Sequence, residues 1–485
     1  MKIAVLTQRL VLGDVLGNAR AIVAAAELAK SAGADVLLTP ELALTGGLPE
    51  DALLSPDFFR LVHQGLDEIL ELDDITVVVG HPVRQGAECF NAATVYRDGN
   101  RLAHYQKMTL NNSGIQDECR YFTPGAAPAV FEQNGIAIGL LMGEDLTAPE
   151  PAAEAQDAGS ALLLVLSAAP FMLETTAERA RLAAYRVEET ACPLIYANAC
   201  GGVGELVYDG ASFALNQHGQ IMAQAPALEL ALPSLAAPFL WVDYADGDIQ
   251  AGVCVPVLSD LAAVSQALIL GIRDFACAQG LSRAVMVADG QVKTALVLAL
   301  AKAALGAENV TQVASSTAQT TVHEAYVAAL GEAAPSLEAV QVELVGRIAR
   351  ASGCLFLDAR SKTDMVFNRG LSPLDLVGVY APLKDIYDSA IAHLMAQLGL
   401  SCEAVNAEQH AKTEQTDVML HALLEHASLD ELKRAAYAQA DILALQQALA
   451  LCDARAARLP LGLALSTAAL GRARRMPAVP LVATR

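Results

Sequence analysis

Apolar and polar positions alternate along this chain in blocks that change period. Short apolar runs at 3–6, 35–38, 76–80, 137–141 and 161–166 have the length of buried strands. The stretches 18–31 and 177–191 repeat apolar residues every three to four positions, the spacing of a helix with one buried face. Strands and helices in turn predict an α/β class with sheets covered by helices. The rhythm breaks over 236–252, where Asp243, Asp246 and Asp248 read as a polar connector. A second α/β pattern starts near Ser259: a helix, the strand Ala284–Ala288, a turn at Asp289-Gly290 and the helix Val292–Leu305. Beyond Leu459 the chain is punctuated by proline and arginine and is expected to wrap a surface. The expected division is a first domain at 1–245, a linker at 246–262 and a second domain at 263–485.

Length supports that division, because 485 residues exceed what one ordinary core organises. Hydrophobic residues make up 54%, enough for large cores. The run Ala161-Leu162-Leu163-Leu164-Val165-Leu166 is far shorter than the roughly 20 residues of a membrane span. Residues 1–8 read as a strand and not as a signal peptide. A cytoplasmic protein is expected. The formal net charge of −22 repels phosphate backbones and anionic lipid, so neither nucleic acid nor membrane is an expected partner. Nine cysteines with no C-x-x-C spacing fit buried thiols in a reducing compartment.

The chemistry begins where an apolar strand ends in a tight polar turn, Gly139-Leu140-Leu141-Met142-Gly143-Glu144-Asp145-Leu146. This turn resembles the nucleophile turn of the nitrilase (carbon–nitrogen hydrolase) superfamily, in which a cysteine occupies the place of Gly143. Further resemblance lies in Thr39-Pro40-Glu41, Gly80-His81-Pro82, Phe90-Asn91-Ala92-Ala93, Tyr105-Gln106-Lys107, Arg120-Tyr121-Phe122-Thr123-Pro124-Gly125 and Asp209-Gly210-Ala211-Ser212-Phe213. It implies an N-terminal α-β-β-α sandwich with Glu41 as general base and Lys107 as oxyanion lysine. Glycine offers no thiolate, so no acyl intermediate can form at position 143. Where the family reads leucine-proline-asparagine-tyrosine this chain has Leu110-Asn111-Asn112-Ser113, and an aromatic expected near Gln116 is absent. The resemblance places Cys119 and Cys200 near segments that border the site in relatives, but the pattern places neither on the turn.

Past the first domain stand Ala303-Ala304-Leu305-Gly306-Ala307-Glu308-Asn309-Val310, Tyr380-Ala381-Pro382-Leu383-Lys384-Asp385-Ile386-Tyr387 and Gly471-Arg472-Ala473-Arg474-Arg475-Met476-Pro477. With these segments nearly the whole chain resembles glutamine-dependent NAD+ synthetase, which joins such a domain to an ATP-pyrophosphatase-type synthetase domain. It implies a C-terminal parallel α/β domain of the adenine-nucleotide α-hydrolase type. The family's SGGxDS loop, which holds pyrophosphate and supplies an aspartate for Mg2+, falls on Asp289-Gly290-Gln291-Val292-Lys293-Thr294. Asp289 and Lys293 thus replace the first serine and the aspartate. The family's TGNxSE falls on Ala359-Arg360-Ser361-Lys362-Thr363-Asp364 and its YGD on Pro373-Leu374-Asp375.

The expected function is that of a catalytically inactive paralogue, a pseudoenzyme that assembles with itself or with an active NAD+ synthetase as scaffold or regulator. One alternative is an ammonia-using NAD+ synthetase or related ATP-dependent ligase; another is a sensor of NAD+ precursors. No cofactor is expected, with ATP and Mg2+ required only by the ligase reading. Bland readings stand beside these: Glu41 satisfying backbone donors, Lys384 and Asp385 as a surface pair, the arginines at 472–475 neutralising acidic surface, and His81 in a structural hydrogen bond.

Overall fold

The computed structural model describes the chain apart from residues 114, 174, 229–238, 257, 289–290, 315–348, 350–352, 369–378, 401–406, 436, 454, 457–458 and 475–485. Two compact units emerge, Met1–Val203 with Val207–Ser259, and Gly204–Leu206 with Asp260–Arg485.

Two sheets build the first unit. Its strands are Lys2–Leu6 (β1), Val36–Leu38 (β2), Thr76–Gln85 (β3), Glu88–Arg97 (β4), Asn100–Gln106 (β5), the hairpin Asn112–Ser113 (β6) and Gln116–Asp117 (β7), Val130–Gln133 (β8) and Ile136–Met142 (β9). Leu162–Ser167 (β10), Leu194–Asn198 (β11), the ribbon Cys200–Val203 (β12) and Leu206–Asp209 (β13), Phe213–Leu215 (β14), Ile221–Gln224 (β15), Phe239–Ala245 (β16) and Asp248–Ile249 (β17) follow. One sheet runs β17-β16-β1-β2-β3-β4-β5 and the other β15-β14-β11-β10-β9-β8. The central trios β1-β2-β3 and β9-β10-β11 are parallel and their flanks antiparallel.

The inner faces of both sheets interdigitate through residues such as Ile3, Val5, Leu38, Leu140, Met142 and Leu164. Outside the first sheet lie helices Val15–Ser31 (α1) and Pro56–Leu70 (α2). In α1 the Asp14 carboxylate caps the first turn through the Gly17 N–H at 3.0 Å, and Ala19, Ile22, Ala26 and Ala29 form its buried stripe. Helices Glu150–Asp157 (α3) and Thr175–Thr190 (α4) cover the second sheet through Ala152, Ala155, Ala183 and Val187. The four layers are the expected α-β-β-α sandwich.

The polar connector expected over 236–252 is corrected by β16 and β17. From Phe239 to Ala245 exposure alternates residue by residue, so Asp243 faces outward on a strand that zips antiparallel to β1. Three aspartates in six positions mask a period-two pattern whose buried members are Leu240, Val242 and Tyr244.

The second unit holds a parallel sheet in the order β19-β18-β20-β21, with strands Ala284–Ala288 (β18), Val310–Ala314 (β19), Leu355–Leu357 (β20) and Val379–Tyr380 (β21). Helix Asp260–Ala278 (α5) precedes the sheet, Val292–Leu305 (α6) follows β18, Lys362–Phe367 (α7) follows β20 and Asp388–Gln397 (α8) follows β21. Long and apolar enough to cross a membrane, α5 is instead two-thirds buried, with Asp274 in its buried set. The segment past Leu459 also departs from expectation. Leu463, Leu465, Ala469 and Leu470 are fully buried, and the Asp385 carboxylate accepts from the N–H groups of Leu465 and Ser466 at 2.8 and 2.7 Å. Those apolar residues are core, not a surface wrap.

Candidate functional site

Strand ends of both sheets of the first unit converge on one buried ionic cluster. Glu41 sits just past β2, Lys107 just past β5, Glu118 after the β6–β7 hairpin and Gly143 just past β9. The Lys107 ammonium lies 2.7 Å from Glu41 Oε1, 2.8 Å from Glu118 Oε2 and 3.4 Å from Glu144 Oε2. The Asn91 amide donates to Glu41 Oε1 at 2.7 Å and to Glu118 Oε1 at 2.8 Å, tying the two carboxylates together. The second Glu41 oxygen accepts from the Ala168 N–H at 3.2 Å. Glu41, Lys107, Glu118 and Asn91 are all buried.

Close packing fixes the Glu41 turn. A Cβ on Gly80 would stand 2.5 Å from the Pro40 carbonyl oxygen and 2.7 Å from the Leu42 nitrogen, so only glycine lets β3 run beside that turn. The turn after β9 is held by Asp145, fully buried, which accepts from the Tyr105 hydroxyl and from the backbone N–H groups of Met142 and Thr109.

Gly143 completes the cluster by what it lacks. Its φ of +34° lies in the left-handed region, and a Cβ there would stand 2.8 Å from Glu41 Oε2, 3.4 Å from Lys107 Nζ and 3.7 Å from Ser167 Oγ. A side chain at this position would therefore project directly between the base and the cation. Thiol-based amide hydrolysis asks for that placement.

Burial and the charges around one lysine facing three carboxylates together set the direction of each shift. Burial, opposed by Lys107 and reinforced by Glu118 and Glu144, pushes the Glu41 carboxyl up to about 8. For Lys107 burial pulls downward, but Glu41, Glu144 and Glu118 more than reverse it and hold the ammonium well above its ordinary range.

In the second unit Lys293 occupies the first turn of α6, and Thr294 is buried beside it. The Lys293 ammonium is 2.5 Å from Asp364 Oδ2, 2.7 Å from Asp388 Oδ1 and 3.3 Å from Ser361 Oγ. Ser361 and Asp364 cap α7 reciprocally. The loop segment at 293 and the segment at 361–364, separated by almost seventy residues, thus meet at one strand-end crevice. Asp289, Gly290 and Pro373-Leu374-Asp375 lie outside the described residues. Among the described residues no group of three or more His, Cys, Asp and Glu is arranged to hold a metal.

Residues 2–235 match the family model described as Carbon-nitrogen hydrolase. Over 425 residues the chain is 33% identical to the glutamine-dependent NAD(+) synthetase of Xylella fastidiosa strain 9a5c, covering 79% of this chain and 77% of that one. The chain belongs to the glutamine-dependent NAD+ synthetase family. A second relative, from Xanthomonas campestris pv. campestris, is 31% identical over 404 residues, covering 74% of this chain and 71% of its own. The fold agrees with a solved glutamine-dependent NAD+ synthetase from Acinetobacter baumannii in complex with ADP, at a TM-score of 0.76, 22% identity and 98% coverage of both chains.

Several site residues of this family member escape sequence reasoning. Glu118, Asn91 and Glu144 bind Lys107 or Glu41, yet no motif weighed above singled out their chemistry. Asn111, in the segment 110–113 that departs from the family's pattern, and Gln116, near the missing aromatic, form a polar lattice: the Asn111 amide donates to Glu144 Oε1 at 2.9 Å and to Gln116 Oε1 at 2.8 Å. Neither candidate thiol replaces the nucleophile by contact. Cys119 is exposed, and the Cys200 thiol donates to the Thr7 carbonyl at 3.0 Å.

The bland readings divide. His81 makes the structural hydrogen bond, with Nε2 2.7 Å from Thr94 Oγ1. Lys384 and Asp385 are buried rather than a surface pair, because Asp385 binds the fully buried Lys362 at 2.7 Å. Arg474 pairs with Asp453 at 2.9 Å, and Arg475 lies outside the described residues.

Proposed function

We propose that this family member does not hydrolyse glutamine and acts as a non-catalytic partner, assembling with itself or with an active NAD+ synthetase as scaffold or regulator. The observation that carries the reading is Gly143. Base, cation and supporting hydrogen bonds surround the place of the thiol, and the atom that would attack is not encoded. A carboxylate–lysine pair without a nucleophile can bind and polarise, but it cannot form the acyl intermediate that splits amide hydrolysis into two accessible steps. The second unit supports the same reading, since Lys293 fills the crevice through two aspartates where the family resemblance calls for a phosphate-holding loop.

A second reading is favoured by family membership across both units: an NAD+ synthetase that takes free ammonia and needs no glutaminase. It requires ATP turnover at the crevice holding Lys293. NAD+ formation from nicotinic acid adenine dinucleotide, ATP and ammonia, measured on the purified chain with and without an active synthetase from the same cell, separates the two. The proposed reading expects no NAD+ from the chain alone and an altered rate of the active enzyme when the two are mixed. Steady NAD+ formation by the chain alone with ammonia selects the second reading.

A further inference from the structure

In an open parallel sheet, ligands enter the crevice outside the carboxyl ends of strands where the order reverses. Here β18 continues to β19 on one side, while β20 and β21 lie on the other. The crevice beyond β18 and β20 is therefore the natural ligand entrance of the second unit. Three elements project polar groups at it: Lys293 from α6, Ser361 and Asp364 from the start of α7, and Asp388 from the start of α8.

Pyrophosphate chemistry of the kind the family resemblance implies uses Mg2+, which is bound through one or two carboxylates plus phosphate oxygens and water. The residues present do not fit that ion. The two carboxylates that face each other, Asp364 and Asp388, are bridged by the Lys293 ammonium at 2.5 and 2.7 Å, and Ser361 Oγ lies 3.3 Å from the same nitrogen. The Ser361 hydroxyl also bonds Asp388 at 2.5 Å, so this oxygen is committed within the cluster. A dication entering between the aspartates would meet an ammonium at contact distance, in a place where these side chains are between one-tenth and one-fifth exposed.

We infer that Lys293 is a tethered cation that bridges Asp364 and Asp388 in the place of a divalent metal, so that this crevice excludes Mg2+ and presents one fixed positive charge instead. The inference deepens the proposed reading and rests on its assignment of the crevice to the family's nucleotide site. Metal binding is read without substrate, so its failure and a positive NAD+ assay are distinguishable results.

Mn2+ titrated into the full chain, followed by electron paramagnetic resonance and calorimetry in the absence of nucleotide, tests it. The wild type is expected to show no Mn2+ site tighter than the millimolar range. Lys293→Ala, which removes the ammonium between Asp364 and Asp388, gains a site at least about tenfold tighter. Lys293→Ala combined with Asp388→Asn loses that gain. Lys293→Met keeps the apolar stem without the charge and gains the same site, which covers the case in which the alanine variant fails to fold. A wild-type Mn2+ site that Asp364→Asn abolishes would overturn the inference. So would a folded Lys293→Ala or Lys293→Met variant that binds no more Mn2+ than the wild type.

Discussion

At the scale of single residues, the first unit is organised around Lys107. A buried ammonium is tolerated only where carboxylates compensate it, and removing one member of such a group costs several kcal/mol because the others lose their partner. Glu41 and Glu118 both meet this lysine, and their shared Asn91 keeps them from repelling each other freely. Burial, with Glu118 and Glu144 adding to it against Lys107, gives Glu41 a raised pKa, and the sign of the consequence is definite. Unfolded, the carboxyl titrates near 4.5; folded, near 8. Between those values the folded chain holds the extra proton, so the stabilising contribution of Glu41 is complete below about pH 4.5 and is lost as pH rises to 8. Glu41→Gln keeps the hydrogen-bonding shape and removes the titration. The variant is expected to gain stability relative to wild type across this window, measured as the difference in urea midpoint at pH 5 and pH 8. A difference that does not change with pH would contradict the raised pKa.

Elements explain how position 143 accommodates glycine. The turn from β9 is held by Asp145 through the Tyr105 hydroxyl and the backbone N–H groups of Met108, Thr109 and Met142, none of which involves residue 143. The turn is therefore held independently of any side chain at 143. Glycine also suits the left-handed φ of +34°, which a side chain occupies only under strain. Gly143→Cys is expected to destabilise the chain by about 1–3 kcal/mol, combining this strain with the approach to Glu41. It should also place an alkylatable thiol at 143, read by peptide mapping after iodoacetamide, since the exposed Cys119 labels as well. A variant as stable as wild type and unlabelled at 143 would mean the turn has rearranged.

Sequence pattern reached most of these elements and missed others for identifiable reasons. Apolar runs marked β1, β9, β10 and β18 because strands buried on both faces read as continuous Val, Ile, Leu and Ala. The strand β16 was hidden because its outward positions include aspartate and its partner β1 lies more than two hundred residues away. Glu41, Lys107 and Gly143 were legible through motifs on strand ends. Glu118 and Asn91 were not, because their roles arise only when β4, the hairpin after β5 and the Glu41 turn come together in space. Lys293 was placed on the loop by register, but its two aspartate partners, 71 and 95 positions on, are a tertiary fact.

On the scale of the whole molecule, the chain keeps both units of its family, carries glycine at position 143 in one and bridges Asp364 and Asp388 with Lys293 in the other. Conserving volume, hydrogen bonds and turn geometry maintains a fold independently of turnover, since function resides in sites carried by the fold. The most direct test of this account is glutamate release from glutamine by the purified full chain, followed by a coupled dehydrogenase over hours at enzyme concentrations far above those of an assay for an active glutaminase. The account predicts no release above the protein-free blank, with or without ATP and nicotinic acid adenine dinucleotide. Sustained glutamate release that scales with protein concentration would contradict it, and would mean that a group other than residue 143 attacks the amide.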